Sequence, residues 1–282
     1  MGSVSSAAIL RRLRASVDAG CPLVVAGVGS GLTARGAVSG GADVLAAYST
    51  AIYRIRGLST ALAFLPYDDA NALTLGVARE VILNAGTVPV LLGFGAHDPR
   101  WPLDVLLDKA EEIGAAGVTN EPFIGIYGTD LRAQLEAAGL GFSRELALIK
   151  QAVARGMLAL GWAFNAHEAK EMAKVGAQLI GAMVGVTAGG PAGGTPLMSI
   201  DLAVESVCAM AQAAKEIRED AIVLAHGGPF NDPRSVAVLL ASAPVDGYVT
   251  GSTAERMPVE AAVGEAIRQF KNVRSSPRPG EL

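Results

Sequence analysis

The sequence predicts the α/β class and, within it, a single (β/α)8 TIM barrel. Eight short apolar runs alternate with longer helical stretches. The runs are almost continuously hydrophobic, as in Pro22-Leu23-Val24-Val25-Ala26 and Ala221-Ile222-Val223-Leu224-Ala225, which is the pattern of parallel strands covered on both faces. The last two runs pass directly into glycine-rich loops, His226-Gly227-Gly228-Pro229 and Gly251-Ser252-Thr253. At 282 residues and 51% hydrophobic content the chain can bury one large core, and α/β barrels form single domains of this size. Residues 1–274 are read as that domain and residues 275–282 as a frayed tail.

Taken in order, Ile9, Leu10, Leu13 and Val17 recur at helical spacing and predict a helix that caps the barrel floor before strand 1. The same stretch has Arg11, Arg12 and Arg14 with no acid before Asp18, a faint likeness to a transit peptide, but the helix accounts for the apolar spacing. Strands are expected at 23–27, 43–47, 88–93, 116–120, 157–161, 178–182, 221–225 and 247–250. Gly20, Gly41, Gly86, Gly117, Gly156 and Gly176 precede strands, where a left-handed residue closes a helix. Gly27-Val28-Gly29-Ser30-Gly31 is not followed by the rest of a dinucleotide fingerprint, so a closed barrel is preferred to an open nucleotide-binding sheet. Long loops are expected after strands 2, 4 and 6, with residues 48–69 preceding the helix after strand 2; they fall on the face where barrel enzymes do chemistry and are candidate lids. Gly189-Gly190-Pro191-Ala192-Gly193-Gly194 is read as a mobile gate.

The net charge of −4 and the absence of a basic run give no footprint for nucleic acid. No apolar stretch approaches the roughly 20 residues of a membrane span. Cys21 and Cys208, far apart and without metal-ligand spacing, fit a reducing cytoplasm and are read as packing residues.

His97, His167 and His226 each follow a predicted strand, and each could equally make a loop hydrogen bond or cap a helix. Glu121, at the end of strand 4, could bind a divalent cation or act as general base, or could pair with Arg54 or Arg132. Asp98 could ligate a metal or start a turn at Pro99. Asp69 could be catalytic, cap the following helix, or both. Every lysine maps to a helix, which disfavours Schiff-base chemistry, and no Gly-x-Ser-x-Gly element supports an acyl-enzyme. What remains is an enolate or oxyanion stabilised by metal, histidine and backbone amides. Gly29, Ser30, Gly31, Arg54, Gly227, Gly228, Gly251, Ser252 and Glu255 are the candidate anion-binding set.

From about residue 22 to 271 the chain resembles the phosphoenolpyruvate hydrolase-like TIM-barrel family, related to the isocitrate lyase and phosphoenolpyruvate mutase barrels and found as the C-terminal domain of Tm-1-like proteins. The carriers include Gly29-Ser30-Gly31-Leu32, Tyr53-Arg54, Leu65-Pro66-Tyr67, Asp69-Ala70-Asn71, Asp98-Pro99, Leu131-Arg132-Ala133, Phe164-Asn165, His226-Gly227-Gly228-Pro229 and Glu255-Arg256-Met257-Pro258. The resemblance implies an oligomeric barrel acting on an enol phosphate. The chain departs from the family pattern at four places. Thr50-Ala51-Ile52 replaces Ser-Gly-Arg, Met183 replaces a histidine, His97-Asp98-Pro99 replaces Thr-Asp-Pro, and Glu121-Pro122 replaces Phe-Pro. The lost arginine weakens the case for a phosphorylated ligand, and the set points to a changed substrate.

The expectation is a cytoplasmic homo-oligomeric hydrolase or lyase that cleaves a C–C or phosphoester bond of a small oxo- or enol-acid. Its substrate is a small-molecule carboxylate; no nucleic acid or membrane partner is expected. His226, Glu121, His97 and Asp69 are the catalytic candidates, and Asp98 with Glu121 the candidate ligands of a divalent metal, Mg or Zn. The alternative is a barrel that senses a ligand or binds a partner without catalysis.

Overall fold

A computed structural model describes residues 5–189 and 198–273. Eight parallel strands close into a barrel in chain order: β1 (Leu23–Val28), β2 (Val44–Ala47), β3 (Val90–Gly93), β4 (Gly117–Thr119), β5 (Leu158–Ala163), β6 (Leu179–Met183), β7 (Ile222–His226) and β8 (Gly247–Thr250). Closure is made by β1, whose Val25 is in register with Val44 on one side and Val249 on the other. Every expected run is a strand. Helix α1 (Ser6–Asp18) precedes the barrel; α2 (Gly31–Ser39) follows β1; α3 (Ser49–Ile55) and α4 (Ala70–Asn84) follow β2; α5 (Leu103–Ile113) follows β3. After β4 come α6 (Thr129–Ala137) and α7 (Phe142–Ala154), after β5 α8 (Ala166–Lys174), after β6 α9 (Ile200–Ile217), after β7 α10 (Pro233–Ser242) and after β8 α11 (Arg256–Lys271).

Helix α1 is capped by the Ser5 hydroxyl, which accepts from the Ala8 N–H. Its Ile9 and Leu13 plug the barrel floor among Leu23, Leu158, Leu179 and Ile222, each such burial worth about 1.5–3 kcal/mol. Strand alternation then sorts the rest. Leu23 and Val25, Val44 and Ala46, Leu158 and Leu160, and Ile222 and Leu224 point inward, while Ala26, Val28, Leu45 and Leu92 meet the surrounding helices.

Gly20, Gly41, Gly86, Gly156 and Gly176 have positive φ, as expected of helix ends. Gly117 does not: Gly114, at φ 89°, closes α5. Gly117 lies within β4, where a Cβ would stand 1.8 Å from the Leu158 carbonyl oxygen. The 48–69 segment, expected to precede the next helix as a loop, carries α3 and a 3-10 turn at Thr60–Phe64, because residues 49–54 are all buried against the barrel mouth. Cys21 is exposed rather than packed, whereas Cys208 packs beside α9's apolar face. Apart from Gly189, the proposed gate falls at 190–194, and the proposed tail at 275–282; both lie outside the described residues. Among the described residues no helix is long and apolar enough to cross a membrane.

Helix α11 buries only Arg256. Val259, Val263, Ile267 and Phe270, at i, i+4, i+8 and i+11, form an exposed stripe. On the outer face of β1, Val24 is also exposed, at 36%.

Candidate active site

Strand alternation carries past the last ladder bonds. Tyr48 continues the inward series of β2, Glu121 that of β4, Trp162 that of β5, Met183 that of β6 and His226 that of β7, and all meet above the core. Tyr48 and Trp162 are fully buried and form the floor, fitting where Gly27 and Gly181 have no side chain: a Cβ on those residues would lie 2.1 Å from the Tyr48 hydroxyl and 2.3 Å from Trp162 Cε3. Helix α3 lies over this layer and delivers Thr50 and Arg54, one turn apart, to the same side. The loop after β8 adds Ser252, and its Glu255 pairs with Arg54 behind the lining. The result is a nearly closed cavity of about 20 Å³, lined by Arg54, Thr60, Phe64, Glu121, Phe123, Ile126, Met183, Val186, Thr187, His226 and Ser252, with room for about one water.

The charged groups of this cavity are buried and only half used. Arg54 Nε donates to Glu255 Oε2 at 2.7 Å, and the Thr50 hydroxyl donates to Glu121 Oε1 at 2.5 Å. Arg54 Nη2, Glu121 Oε2 and Glu255 Oε1 are buried without a partner among the described residues. The Trp162 indole N–H beside Glu121 is unpartnered too, and the Gly29 N–H lies near Glu255; buried polar groups are normally satisfied, so this cluster is one that a ligand could complete. Burial, with Glu255 nearby, pushes Glu121 up to about 7, against the opposing effects of the Thr50 bond, Arg54 and the Trp162 indole. It pushes Glu255 up to about 7 as well, opposed by Arg54. For Arg54, burial lowers the pKa, but Glu255, Tyr48 and Glu121 outweigh it and the guanidinium stays charged. His226 Nδ1 lies 2.6 Å from the Val249 carbonyl, which fixes the proton there and leaves Nε2 as the acceptor. Burial, with Arg54 nearby, brings His226 down to about 4, so it is neutral at physiological pH.

Glu145 on α7 holds the segment that presents Glu121. Its carboxylate accepts from Asn120 Nδ2 at 2.8 Å and from the Ile124 N–H at 2.7 Å, one on each side of Glu121. Asn120 Oδ1 in turn accepts from the Trp162 N–H at 2.8 Å. Burial raises Glu145 to about 8.

His97 does not join this cavity. The chain leaves β3 at Gly93, and His97 lies against Gly95 and Pro122 in a second, more open cavity of about 260 Å³ with Asp68, Asn71, Asp98, Arg100 and Tyr127. There Asp98 is held in a two-bond pair by Arg100, at 2.9 and 2.6 Å. Asp98 and Glu121 therefore face different cavities and do not form one metal site. Among the described residues no three His, Cys, Asp or Glu side chains converge as ligands, and the two carboxyls of the closed cavity flank a guanidinium. A divalent cation prefers several oxygen donors, and this donor set does not fit one.

The structure places several other candidates in structural roles. Asp69 caps α4 by accepting from the Ala72 N–H at 2.9 Å and also accepts from Trp101 Nε1; it is not brought to the His226 cavity. Ser30 and Thr33 form the capping box of α2, and the Gly31 N–H donates to Glu80 Oε1 at 2.6 Å, so that helix start already holds a carboxylate. Gly29 runs against α3, where a Cβ would stand 2.5 Å from the Ala51 carbonyl. Gly227 and Gly228 have φ of 86° and 55°; the Gly228 N–H is spent on the Gly185 carbonyl at 3.0 Å, so this amide is not free for an anion. Gly251 admits His226 and Arg54 to its side, at 3.1 and 3.7 Å from an ideal Cβ. His167 is exposed, and Arg132 pairs with Glu168 rather than Glu121.

Thr50, Tyr48, Glu145 and Trp162 escaped the sequence reading. Glu145 had a signal: it lies with Leu148, Ile149 and Ala152 on the buried stripe of α7, where a lone carboxylate needs dedicated partners.

A profile of the phosphoenolpyruvate hydrolase-like family matches residues 8–273, and the chain belongs to that family. It is 36% identical over 266 residues to the ToMV susceptible protein tm-1(GCR26) of Solanum lycopersicum, covering 94% of this chain but 35% of the tomato protein. The chain thus spans about a third of that relative's length. Two solved structures share the fold. One is phosphonopyruvate hydrolase in complex with oxalate and Mg2+ (TM-score 0.61, 14% identity, 94% of this chain and 89% of that one). The other is 2,3-dimethylmalate lyase, a PEP mutase/isocitrate lyase superfamily member (TM-score 0.61, 17% identity, 100% and 92%).

Proposed function

We propose that this member of the phosphoenolpyruvate hydrolase-like family is an enzyme that cleaves a carbon–carbon bond in a small oxo- or hydroxy-acid, and that its chemistry is done in the closed cavity. One observation carries the reading: Arg54 Nη2 and Glu121 Oε2 are buried and unpartnered around a space that His226 also lines, and Glu255 holds Arg54 from behind it. Arg54 holds the substrate carboxylate, as a guanidinium does best, with Ser252 and Thr187 beside it. Glu121, poised near pH 7, accepts the hydroxyl proton at Oε2 as the bond breaks. The bonding pair moves onto the carboxylate-bearing fragment as an enolate, whose charge faces Arg54, and the proton returns to that fragment's carbon. An oxo-acid reacts as its hydrate, with water supplying two hydroxyls, of which one gives its proton to Glu121 and the other donates to neutral His226 at Nε2. No step uses a metal.

Phosphoester cleavage, which the family name favours, has less support, since a phosphate dianion would meet the Glu121 carboxyl and a guanidinium already shared with Glu255. The test is a turnover panel of 2,3-dimethylmalate, phosphonopyruvate and phosphoenolpyruvate, read for both oxo-acid and phosphate. Oxo-acid release without phosphate, falling about 10²–10⁴-fold in Glu121→Gln, is the expected result. Wild-type turnover by that variant rejects the role, and binding without conversion identifies a ligand-sensing barrel. The exposed α11 stripe and the uncovered Val24 face support the homo-oligomer reading, with α11 packing on a second copy. Sedimentation of an Ile267→Glu/Phe270→Glu variant as a smaller species than the parent is expected; equal sizes reject it.

A further inference from the structure

The second cavity remains without a role, and its position gives it one. Two chain segments form the partition between the cavities, each only one residue thick. Glu121 faces the closed cavity and Pro122 the open one; Ile126 faces the closed cavity and Tyr127 the open one. Phe64 lines both. Its ring packs on Phe123 at 5.3 Å between centroids, and its carbonyl accepts from the Tyr127 hydroxyl at 2.5 Å. The closed cavity, at about 20 Å³ with the Phe64 ring in place, has room for about one water, so even a small acid needs that ring to give way, and about 260 Å³ lies directly behind it.

The chemistry of the larger space is that of an uncharged group. Its walls include Ala63, Phe64, Leu65, Pro66, Ala70 and Pro122. Its charges are already matched: Asp98 with Arg100, and Asp68 with the Tyr53 hydroxyl at 2.6 Å and Arg56 at 3.8 Å. One polar atom is left over, His97 Nδ1, which is buried without a partner among the described residues.

We propose that the two cavities are the two halves of one substrate site, joined when the Phe64 ring turns aside, and that the substrate is an acid bearing an uncharged, mainly apolar chain of several carbons with its far end near His97. This rests on the placing of the carboxylate at Arg54. The acid end sits in the closed cavity and the chain crosses the Phe64 partition. Phe64 is a partition and specificity residue, not a catalytic one.

The test labels the three histidines with ¹³C at Cε1, assigns them with single substitutions, and titrates the unmodified protein with pyruvate and with 2-oxohexanoate. Pyruvate is expected to shift the His226 resonance alone, and 2-oxohexanoate to shift His226 and His97 together. The longer acid should bind at least about tenfold tighter. In Ala70→Phe, which fills the open cavity, 2-oxohexanoate should weaken about tenfold while pyruvate stays within about twofold. A 2-oxohexanoate titration that shifts His226 but leaves His97 unmoved, or an Ala70→Phe variant that binds both acids as before, overturns the joined site and leaves the Arg54 reading standing. A shift of His97 alone overturns the Arg54 reading and makes the open cavity a separate site. No shift at either histidine overturns both.

Discussion

On either side of the Glu121–Pro122 peptide the protein treats its charges differently. In the open cavity each charge is closed on another: Asp98 takes two bonds from Arg100, and Asp68 takes the Tyr53 hydroxyl and Arg56. Around the closed cavity Arg54 and Glu121, with Glu255 behind Arg54, each keep one buried polar atom short of a full hydrogen bond. Both cavities hold a histidine, an arginine and acidic residues, so residue types alone would rank them equal. They differ in unspent hydrogen-bonding capacity under burial, which costs folding free energy and persists where a ligand recovers it.

The largest effects should therefore fall in the closed cavity. Glu121→Gln, which keeps the shape but cannot accept a proton, should lower kcat by about 10²–10⁴ on the acid that is turned over, whereas His97→Asn should change kcat by less than about fivefold. Steady-state kinetics on the two purified variants decides it, and equal losses erase the distinction. His226→Asn comes next, at about 10²-fold in kcat with little change in far-ultraviolet circular dichroism.

A third effect is on pH. Glu121 works as a carboxylate and is raised to about 7, so log kcat/KM should climb through pH 7 and level off above it. Glu255, also near 7 and sharing Arg54, makes that limb a property of the set rather than of one residue. His226, near 4, stays neutral throughout and adds no limb above pH 5. The climb should vanish in Glu121→Gln; a limb that survives there assigns it elsewhere.

Smaller effects concern stability. Glu145 is raised to about 8, above an ordinary carboxylate, so its contribution is full below the unfolded value and is lost as pH rises through about 8. The unfolded His226 has finished titrating by pH 7.5 and does not oppose this at higher pH. The fall in Tm between pH 6.5 and 8.5 should be smaller by roughly 2–4 °C in Glu145→Gln, measured by calorimetry. Least of all, Ser30→Ala should cost about 1 kcal/mol through loss of the α2 cap with turnover unchanged, whereas an anion-binding Ser30 would raise KM.

The barrel was legible because its signals are local. Continuous apolar runs, returning glycines and the Ile9/Leu13 spacing each need only a short window, and the eight strands and the floor helix follow from them. The lining of the candidate cavity was legible in part. His226, Glu121 and Arg54 were found as polar residues at strand ends or in the loop after strand 2. Asp69, Ser30, Gly31 and Gly228 make structural hydrogen bonds, which the sequence could not show, because a capping side chain and a glycine at a left-handed turn look the same whether or not an anion is present. His97 and Asp98 lie four and five residues beyond β3, and that far past a strand the alternation no longer says where a side chain points. Thr50 and Glu145 depend on contacts with residues 71 and 21 to 25 positions away, which no local pattern reports.

The account turns on Arg54 receiving an acid in the closed cavity. Removing Arg54 alone would strand Glu255, so the measurement replaces the pair, as Arg54→Met/Glu255→Gln, and follows oxalate binding by titration calorimetry against the parent protein. The parent should bind oxalate and the paired variant, folded by circular dichroism, should lose at least about a hundredfold in affinity. Oxalate bound equally well by both would contradict the assignment.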